Sequence, residues 1–142
     1  MVSHDGGDRF LLAMRGHVVA VDQPADAGGA DTAPSPTELL VGSLASCIAF
    51  YARRFLARHG LPDRGLTVAV DARSADRPAR LTSFDVTVSL PEGFPAARQD
   101  ALLRVVAGCT VHNTLHADPE VRIALVDQAT EQSGPGTSAR SA

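Results

Sequence analysis

Two cysteines, Cys47 and Cys109, are the most informative residues of this chain, because each lies in an apolar segment with helical spacing. If folding brings them together, one thiol can attack an oxidant, and the resulting sulfenic acid can condense with the other thiol to a disulfide. If folding keeps them apart, each is a small apolar core residue. In a reducing compartment two cysteines rarely form a structural disulfide, so the pair favours transient redox chemistry.

The region around the second cysteine also allows a metal-site interpretation. Cys109, His112 and His116 form a C-x2-H-x3-H pattern, whose spacings of three and four place the side chains on one helical face. With Cys47 as a fourth ligand they would complete a tetrahedral zinc site. Because the spacing matches none of the established zinc patterns, we expect no bound metal and keep a metal-binding module as a lesser alternative.

The segment that carries Cys47 is predicted to be one long helix. Ser35 suits the N-cap, Pro36 the first helical position, and Glu38 the closing residue of a capping box. Apolar residues then recur at every third or fourth position, at Leu40, Leu44, Cys47, Tyr51 and Phe55. The helix should end at Gly60, and since it is apolar around most of its girth, we expect a second subunit to bury it.

Shorter elements are predicted on both sides of this helix. Short apolar runs on either side of Gly16 predict strands at 9–15 and 17–22, and alternating apolar and polar residues predict strands at 66–72 and 84–90. A last strand is predicted at 120–126. Apolar residues at helical spacing predict two more helices, at 95–107 and 110–117. Clusters of glycine, proline or charged residues predict loops, at 23–34 and 73–80. The first two strands should form a hairpin, and the segregation of strands from helices predicts an α+β fold.

Length and composition indicate one domain. A chain of 142 residues can bury a single core, which we place at 9–126, between a flexible amino terminus at 1–8 and a disordered tail at 127–142. All 13 basic residues are arginines, which excludes lysine Schiff-base chemistry. The net charge of −3, with no basic block, argues against nucleic acid and anionic membrane partners.

The amino terminus has no feature of a secretory signal, so we expect a cytoplasmic protein. The uncharged stretch at 39–52 is shorter than the roughly 20 residues that a membrane-spanning helix needs. We therefore interpret it as part of a buried helix.

Two motifs resemble those of a known family. The strings SPTELLVGSLASCIAFYARRFL and GCTVHNTLHADPEVRI are similar to the two cysteine motifs of the OsmC/Ohr superfamily. In that superfamily a proline-initiated helix carries the first cysteine, a second helix carries the other about sixty residues later, and a strand follows. The resemblance covers 9–126 and is closer to the OsmC-like branch than to the organic hydroperoxide resistance branch.

The resemblance implies a two-layer fold, an intertwined homodimer and thiol-dependent reduction of organic hydroperoxides, without a cofactor. It makes Cys47 the nucleophile that attacks the distal peroxide oxygen, and Cys109 the thiol that condenses with the sulfenic acid. An external dithiol would then reduce the disulfide. The rival interpretation is a non-catalytic OsmC-like domain that binds an apolar small molecule and merely buries its cysteines.

The resemblance also implies an arginine and a glutamate close to the reactive thiol. Arg15, in the amino-terminal hairpin, is the best candidate for the arginine, and Arg9 and Arg53 are weaker ones. Thr37 occupies the family position of the glutamate, and Glu38 follows one residue later. The shift places Glu38 on the helix face opposite the cysteine, which favours a role in the capping box over one in holding the arginine.

Overall fold

The computed structural model describes residues 1–126, so the predicted disordered segment at 127–142 lies outside the described residues. The elements follow in the order β1 (Val2–His4), β2 (Phe10–Met14), β3 (His17–Val21), α1 (Pro36–Arg58), β4 (Thr67–Asp76), β5 (Ala79–Ser89), α2 (Gln99–Ala107) and α3 (Thr110–His116). The predicted α+β class is confirmed. The helices and the β4–β5 sheet pack on one another around α1.

Strands β1, β2 and β3 form an antiparallel sheet in that order. The predicted hairpin is present, with Phe10 opposite Val21 and Met14 opposite His17. The segment at 1–8, expected to be flexible, contains β1, which pairs with β2, and the Met1 amino group donates to the Ala13 carbonyl oxygen at 3.0 Å. Alternation over only three residues is too short to predict this strand.

Strands β4 and β5 form a second antiparallel sheet, in which Val70 lies opposite Val86. The predicted loop at 73–80 is wrong, since β4 continues to Asp76 and β5 begins at Ala79, with a register shift between Arg73 and Ser74. Backbone pairing continues here although the side chains have become polar. The outer half of the pair is an exposed ribbon that needs no apolar alternation.

Helix α1 begins and ends where the sequence predicts. Ser35 is the N-cap: its hydroxyl oxygen accepts from the Glu38 amide at 3.3 Å, and the Glu38 carboxylate accepts from the Ser35 amide at 2.6 Å. This is the predicted capping box. At the other end His59 is the C-cap, and Gly60 takes a positive φ of 63° that disfavours a side chain.

Helix α1 provides most of the core. Seven residues form the buried cluster: Leu44, Ile48, Ala52, Phe55, Leu102, Val106 and Cys109. On the outer face Leu40 and Phe50 stay exposed, so within a single chain the helix is buried on one side and not around its girth. By length and composition α1 could also cross a membrane, but a core helix meets the same criteria, and α1 packs on β4, α2 and α3.

Helices α2 and α3 confirm the predictions at 95–107 and 110–117, with a short 3-10 turn at Ala96–Arg98 before α2. The strand predicted at 120–126 is wrong for the single chain, which has no regular secondary structure there. Val121, Ile123 and Leu125 are each at least 79% exposed. An alternating segment forms a strand only when another strand offers it a partner, and within residues 1–126 no strand pairs with this one.

Candidate functional site

The two cysteines, remote in sequence, meet in the core. Cys47 lies in the middle of α1, and Cys109 is the N-cap of α3, just after Gly108 ends α2. Both are free thiols; Cys109 is fully buried, and Cys47 is partly buried and packs against the cluster that contains Cys109. The two side chains lie close enough for the Cys47 thiol to affect ionisation of Cys109. The predicted convergence is therefore present within one chain.

The environment makes the two thiols unequal. Burial is the main cause that raises the pKa of Cys109, and interaction with Cys47 raises it further. The His112 amide donates to the Cys109 sulfur at 3.4 Å and lowers the pKa of Cys109, but the pKa remains raised overall. The surroundings of Cys109 therefore favour its neutral thiol form, whereas Cys47 is only partly buried. Of the two, Cys47 is the thiol that an oxidant can approach.

The candidate arginines are not held against the thiols in the single chain. Arg15 lies at the exposed tip of the β2–β3 hairpin with a φ of 57°, and within residues 1–126 it makes no hydrogen bond or ion pair. Arg9 pairs with Asp5 at 2.9 Å, and Arg53 pairs with Asp63 at 3.3 Å. No arginine in the described range is among the groups that shift the pKa of Cys109.

Glu38 is engaged at the start of α1. Its carboxylate accepts from the Ser35 amide at 2.6 Å and from the Ser35 hydroxyl at 2.8 Å, and these bonds lower its pKa. The capping interpretation of Glu38 is thus confirmed. A role in holding an arginine at the thiols would require the carboxylate to leave this cap or to bind through its remaining lone pairs.

His112 and His116 lie side by side on α3, as the helical spacing predicts. Their Nε2 atoms are 3.1 Å apart, and the buried Nδ1 of His112 has no hydrogen-bond partner. Cys109 faces the amide of His112 and not the ring. In the described part of the chain, no three histidine, cysteine or acidic side chains are grouped so that they could hold a metal ion. The geometry therefore does not support the metal-binding alternative.

A cavity of about 720 Å³ lies against the Cys47 region of α1; most of its lining residues are apolar, and Thr82, Ser83, His112 and His116 add polar groups. Leu44 and Ile48, which flank Cys47 on α1, line one wall, and residues of β5, α2 and α3 line the others. His112, whose amide contacts Cys109, lies at one end. Neither cysteine lines the cavity directly. Its size and mixed lining, mainly apolar with a few polar groups, suit a small and largely hydrophobic molecule.

One feature near the amino-terminal sheet was missed from the sequence: the loop at 23–34 folds around a buried carboxylate. Asp22 is only 2% exposed and accepts from the Gln23 amide, the Thr32 amide and the Thr32 hydroxyl, at 2.8, 3.0 and 2.7 Å. A side chain at Gly29 would collide with the Gln23 carbonyl. An aspartate at the start of a glycine-rich loop is the sequence signal that could have indicated this turn.

Asp22→Asn is expected to make the stability of the protein less dependent on pH. Hydrogen bonds from Thr32 lower the pKa of Asp22 below its ordinary value of 3.8, so the folded state favours the charged carboxylate. Its contribution is complete above pH 3.8 and is lost as the pH falls through the lower folded-state pKa. Urea unfolding measures the free energy of unfolding of both proteins at pH 7 and at pH 3. The amount by which the wild-type value exceeds that of Asp22→Asn should be smaller at pH 3. A difference that is equal at both pH values would contradict this.

Comparison with known proteins agrees with this architecture. A family model described as OsmC-like protein matches residues 28–124. No curated protein matches the chain in sequence. Among solved structures, an osmotic stress induced and detoxification response protein from Psychrobacter arcticus superposes with a TM-score of 0.76 at 24% identity, covering 83% of this chain and 88% of that one.

Two further solved structures resemble the chain. One gives a TM-score of 0.62 at 21% identity, covering 82% of this chain and 88% of that one. An OsmC-like hydroperoxide resistance protein from Jannaschia gives 0.49 at 23% identity, covering 89% and 90%. The two structures with the higher scores show that the fold is shared.

Proposed function

Because this chain belongs to the OsmC-like protein family, we propose that it is a thiol-dependent peroxidase that reduces organic hydroperoxides during oxidative or osmotic stress. The observation that carries the proposal is the meeting of two free thiols from distant segments, one accessible and one buried. A purely structural pair of cysteines needs neither this proximity nor this difference in exposure.

The chemistry assigned to the pair runs in three steps. The Cys47 thiolate attacks the distal oxygen of the hydroperoxide, the O–O bond breaks, the alcohol leaves with a proton from water, and the sulfur becomes a sulfenic acid. The sulfur of Cys109 then attacks that of Cys47, and the sulfenic hydroxyl leaves as water with the thiol proton. An external dithiol reduces the disulfide by exchange and is itself oxidised to a disulfide.

The burial of the two thiols suits these roles. Cys109, with its raised pKa, stays protonated until the sulfenic acid forms and then supplies the proton that water formation requires. The apolar part of the 720 Å³ cavity would hold the hydrocarbon part of an organic hydroperoxide, which favours such a substrate over hydrogen peroxide.

Wild-type protein tests the proposal directly. Reduced protein mixed with one equivalent of cumene hydroperoxide, without dithiol, should release one equivalent of cumyl alcohol and form a Cys47–Cys109 disulfide, detected by peptide mass mapping. With excess dithiol, consumption should become catalytic. Hydroperoxide loss that matches the dithiol-only control, with both thiols still reduced, would reject the proposal.

We also propose a homodimer, because apolar surfaces lie open in the single chain. Leu40 and Phe50 are exposed on α1, and a cleft of about 730 Å³ separates the β1–β3 sheet from the start of that helix. The exposed apolar row at 121–125 also has no partner strand within residues 1–126. A second copy would cover these surfaces and could bring an Arg15 hairpin to the thiols.

The homodimer predicts the mass of the particle in solution. Light scattering at micromolar concentration should give twice the chain mass of 14.8 kDa. Phe50→Asp should shift the mass toward that of one chain, because a buried unpaired carboxylate opposes association. A wild-type mass of 14.8 kDa at every concentration would contradict the dimer.

A non-catalytic domain that binds an apolar molecule is the second candidate function. The cavity lining favours it, since neither cysteine lines the 720 Å³ space. Glu38 also has one carboxylate oxygen engaged in its cap, where it accepts from the Ser35 amide and hydroxyl. Under this alternative a hydrophobic dye would bind, and the thiols would survive hydroperoxide treatment. A cytoplasmic location is proposed for the peroxidase, because its cycle needs a reducing compartment whose dithiols return the disulfide to two thiols.

A further inference from the structure

A second cavity, of about 450 Å³, lies between the carboxyl-terminal half of α1 and α2. Three arginines line it: Arg54 and Arg58 from α1, and Arg104 from α2. None of its lining residues is acidic, and within residues 1–126 none of the three arginines forms an ion pair. Arg54 lies over the Phe50 ring, with its Cζ 5.5 Å from the ring centroid, but none of the three arginines has a carboxylate partner among the described residues, in a chain whose net charge is −3.

The arginines are neighbours whose charges repel each other. Arg54 and Arg58 are four residues apart on the helix, a spacing at which like charges destabilise each other. Arg104 adds a third charge from the opposite wall. A bound anion would offset this repulsion, and guanidinium groups present paired N–H donors that match the two oxygens of a carboxylate.

The floor of the same cavity is apolar. Tyr51, Phe55 and Val105 form it; Phe55 is buried in the core, whereas Val105 is 37% exposed. Small inorganic anions would leave this floor in contact with water. A ligand that combines a hydrocarbon body with one negative head would cover the floor and reach the guanidinium groups together.

We propose that this cavity binds a small amphipathic carboxylate, with its hydrocarbon part on the apolar floor and its carboxylate between the arginines. The site shares no lining residue with the 720 Å³ cavity, and neither cysteine lines it. Gly108, which precedes Cys109, does line it, so the site is a neighbour of the thiol pair and separate from the 720 Å³ cavity; its occupation goes beyond the proposed peroxidase chemistry.

Tyr51 makes the test simple, because it is the only tyrosine of a chain without tryptophan, and it lines the cavity. Its fluorescence should change saturably when octanoate is added at low ionic strength. Octanol, which lacks the charge, and inorganic phosphate, which lacks the chain, should each bind about tenfold more weakly or not at all. Binding of octanoate should weaken in 0.5 M salt.

Paired variants locate the effect. Arg58→Gln combined with Arg104→Gln should weaken octanoate binding about tenfold, whereas Arg77→Gln combined with Arg80→Gln, at the β4–β5 turn, should leave it unchanged. If circular dichroism shows that the Arg58→Gln and Arg104→Gln double variant is unfolded, the single variant Arg104→Gln replaces it in the binding assay. Cys47→Ser should bind octanoate like the wild type, whatever its peroxidase activity. Equal binding of octanol and octanoate, or equal losses in both arginine pairs, would overturn the proposal.

Discussion

Cys47→Ser is expected to lower the turnover of cumene hydroperoxide in the presence of dithiol by at least about 10³-fold. A serine hydroxyl is not ionised at neutral pH and cannot form the sulfenic acid, so the first step disappears. The buried Cys109 cannot take over, because its pKa is raised and it is fully buried. The measurement is the rate of hydroperoxide loss, with the dithiol-only rate subtracted.

Cys109→Ser is the matched control for this loss. Without dithiol it should still release one equivalent of alcohol, but its Cys47 should remain a sulfenic acid that dimedone traps and mass spectrometry locates. Wild-type protein should instead show the disulfide and little dimedone adduct. An adduct on Cys109, or full activity in Cys47→Ser, would show that the roles of the two thiols have been assigned wrongly.

Leu102→Ala is expected to reduce the free energy of unfolding by about 2–5 kcal/mol. Leu102 is 3% exposed and belongs to the cluster that also contains Cys109, so the truncation removes packing contacts and leaves a cavity within that cluster. Urea unfolding, followed by circular dichroism, measures the change. Such a loss would be a large part of the stability of a domain of this size.

The adjacent residue provides the control. Leu103→Ala removes the same atoms from the same helix, but Leu103 is 60% exposed in the single chain, and its loss should cost less than about 1 kcal/mol. If Leu102→Ala and Leu103→Ala lowered the free energy of unfolding equally, the observation that α2 buries Leu102 and exposes Leu103 would be contradicted.

Features determined by short stretches of chain were predicted correctly. The bounds of α1 follow from a capping box at Ser35 and Glu38 and from Gly60 after its last turn, all of which act over a few residues. Helices α2 and α3 and the β2–β3 hairpin likewise follow from local periodicity. For such elements the partners of each backbone group lie nearby in sequence.

Strand pairing beyond a tight turn was predicted less well. The loop assigned to 73–80 is strand, because backbone hydrogen bonds extend the β4–β5 ribbon without help from side-chain patterning. The strand assigned to 120–126 is absent from the single chain, since a correct alternation cannot supply a partner. In both segments the deciding interaction is with another strand and not within the segment.

Some features of the candidate site could likewise be predicted from the sequence, and others could not. The types of residue and their helical faces were readable in advance: Cys47 on α1, Cys109 at a helix start, and His112 beside His116. The buried bonds of Asp22, in contrast, emerged only with the folded loop.

The amino-acid sequence by itself therefore determined which thiols, caps and apolar faces this protein has, because these depend on residue type and on spacing along one helix. Only the tertiary structure decided that Cys109 is the buried thiol of the pair and that three arginines share one cavity. Burial and pKa depend on every atom packed around a group, and those atoms come from segments that are distant in the chain.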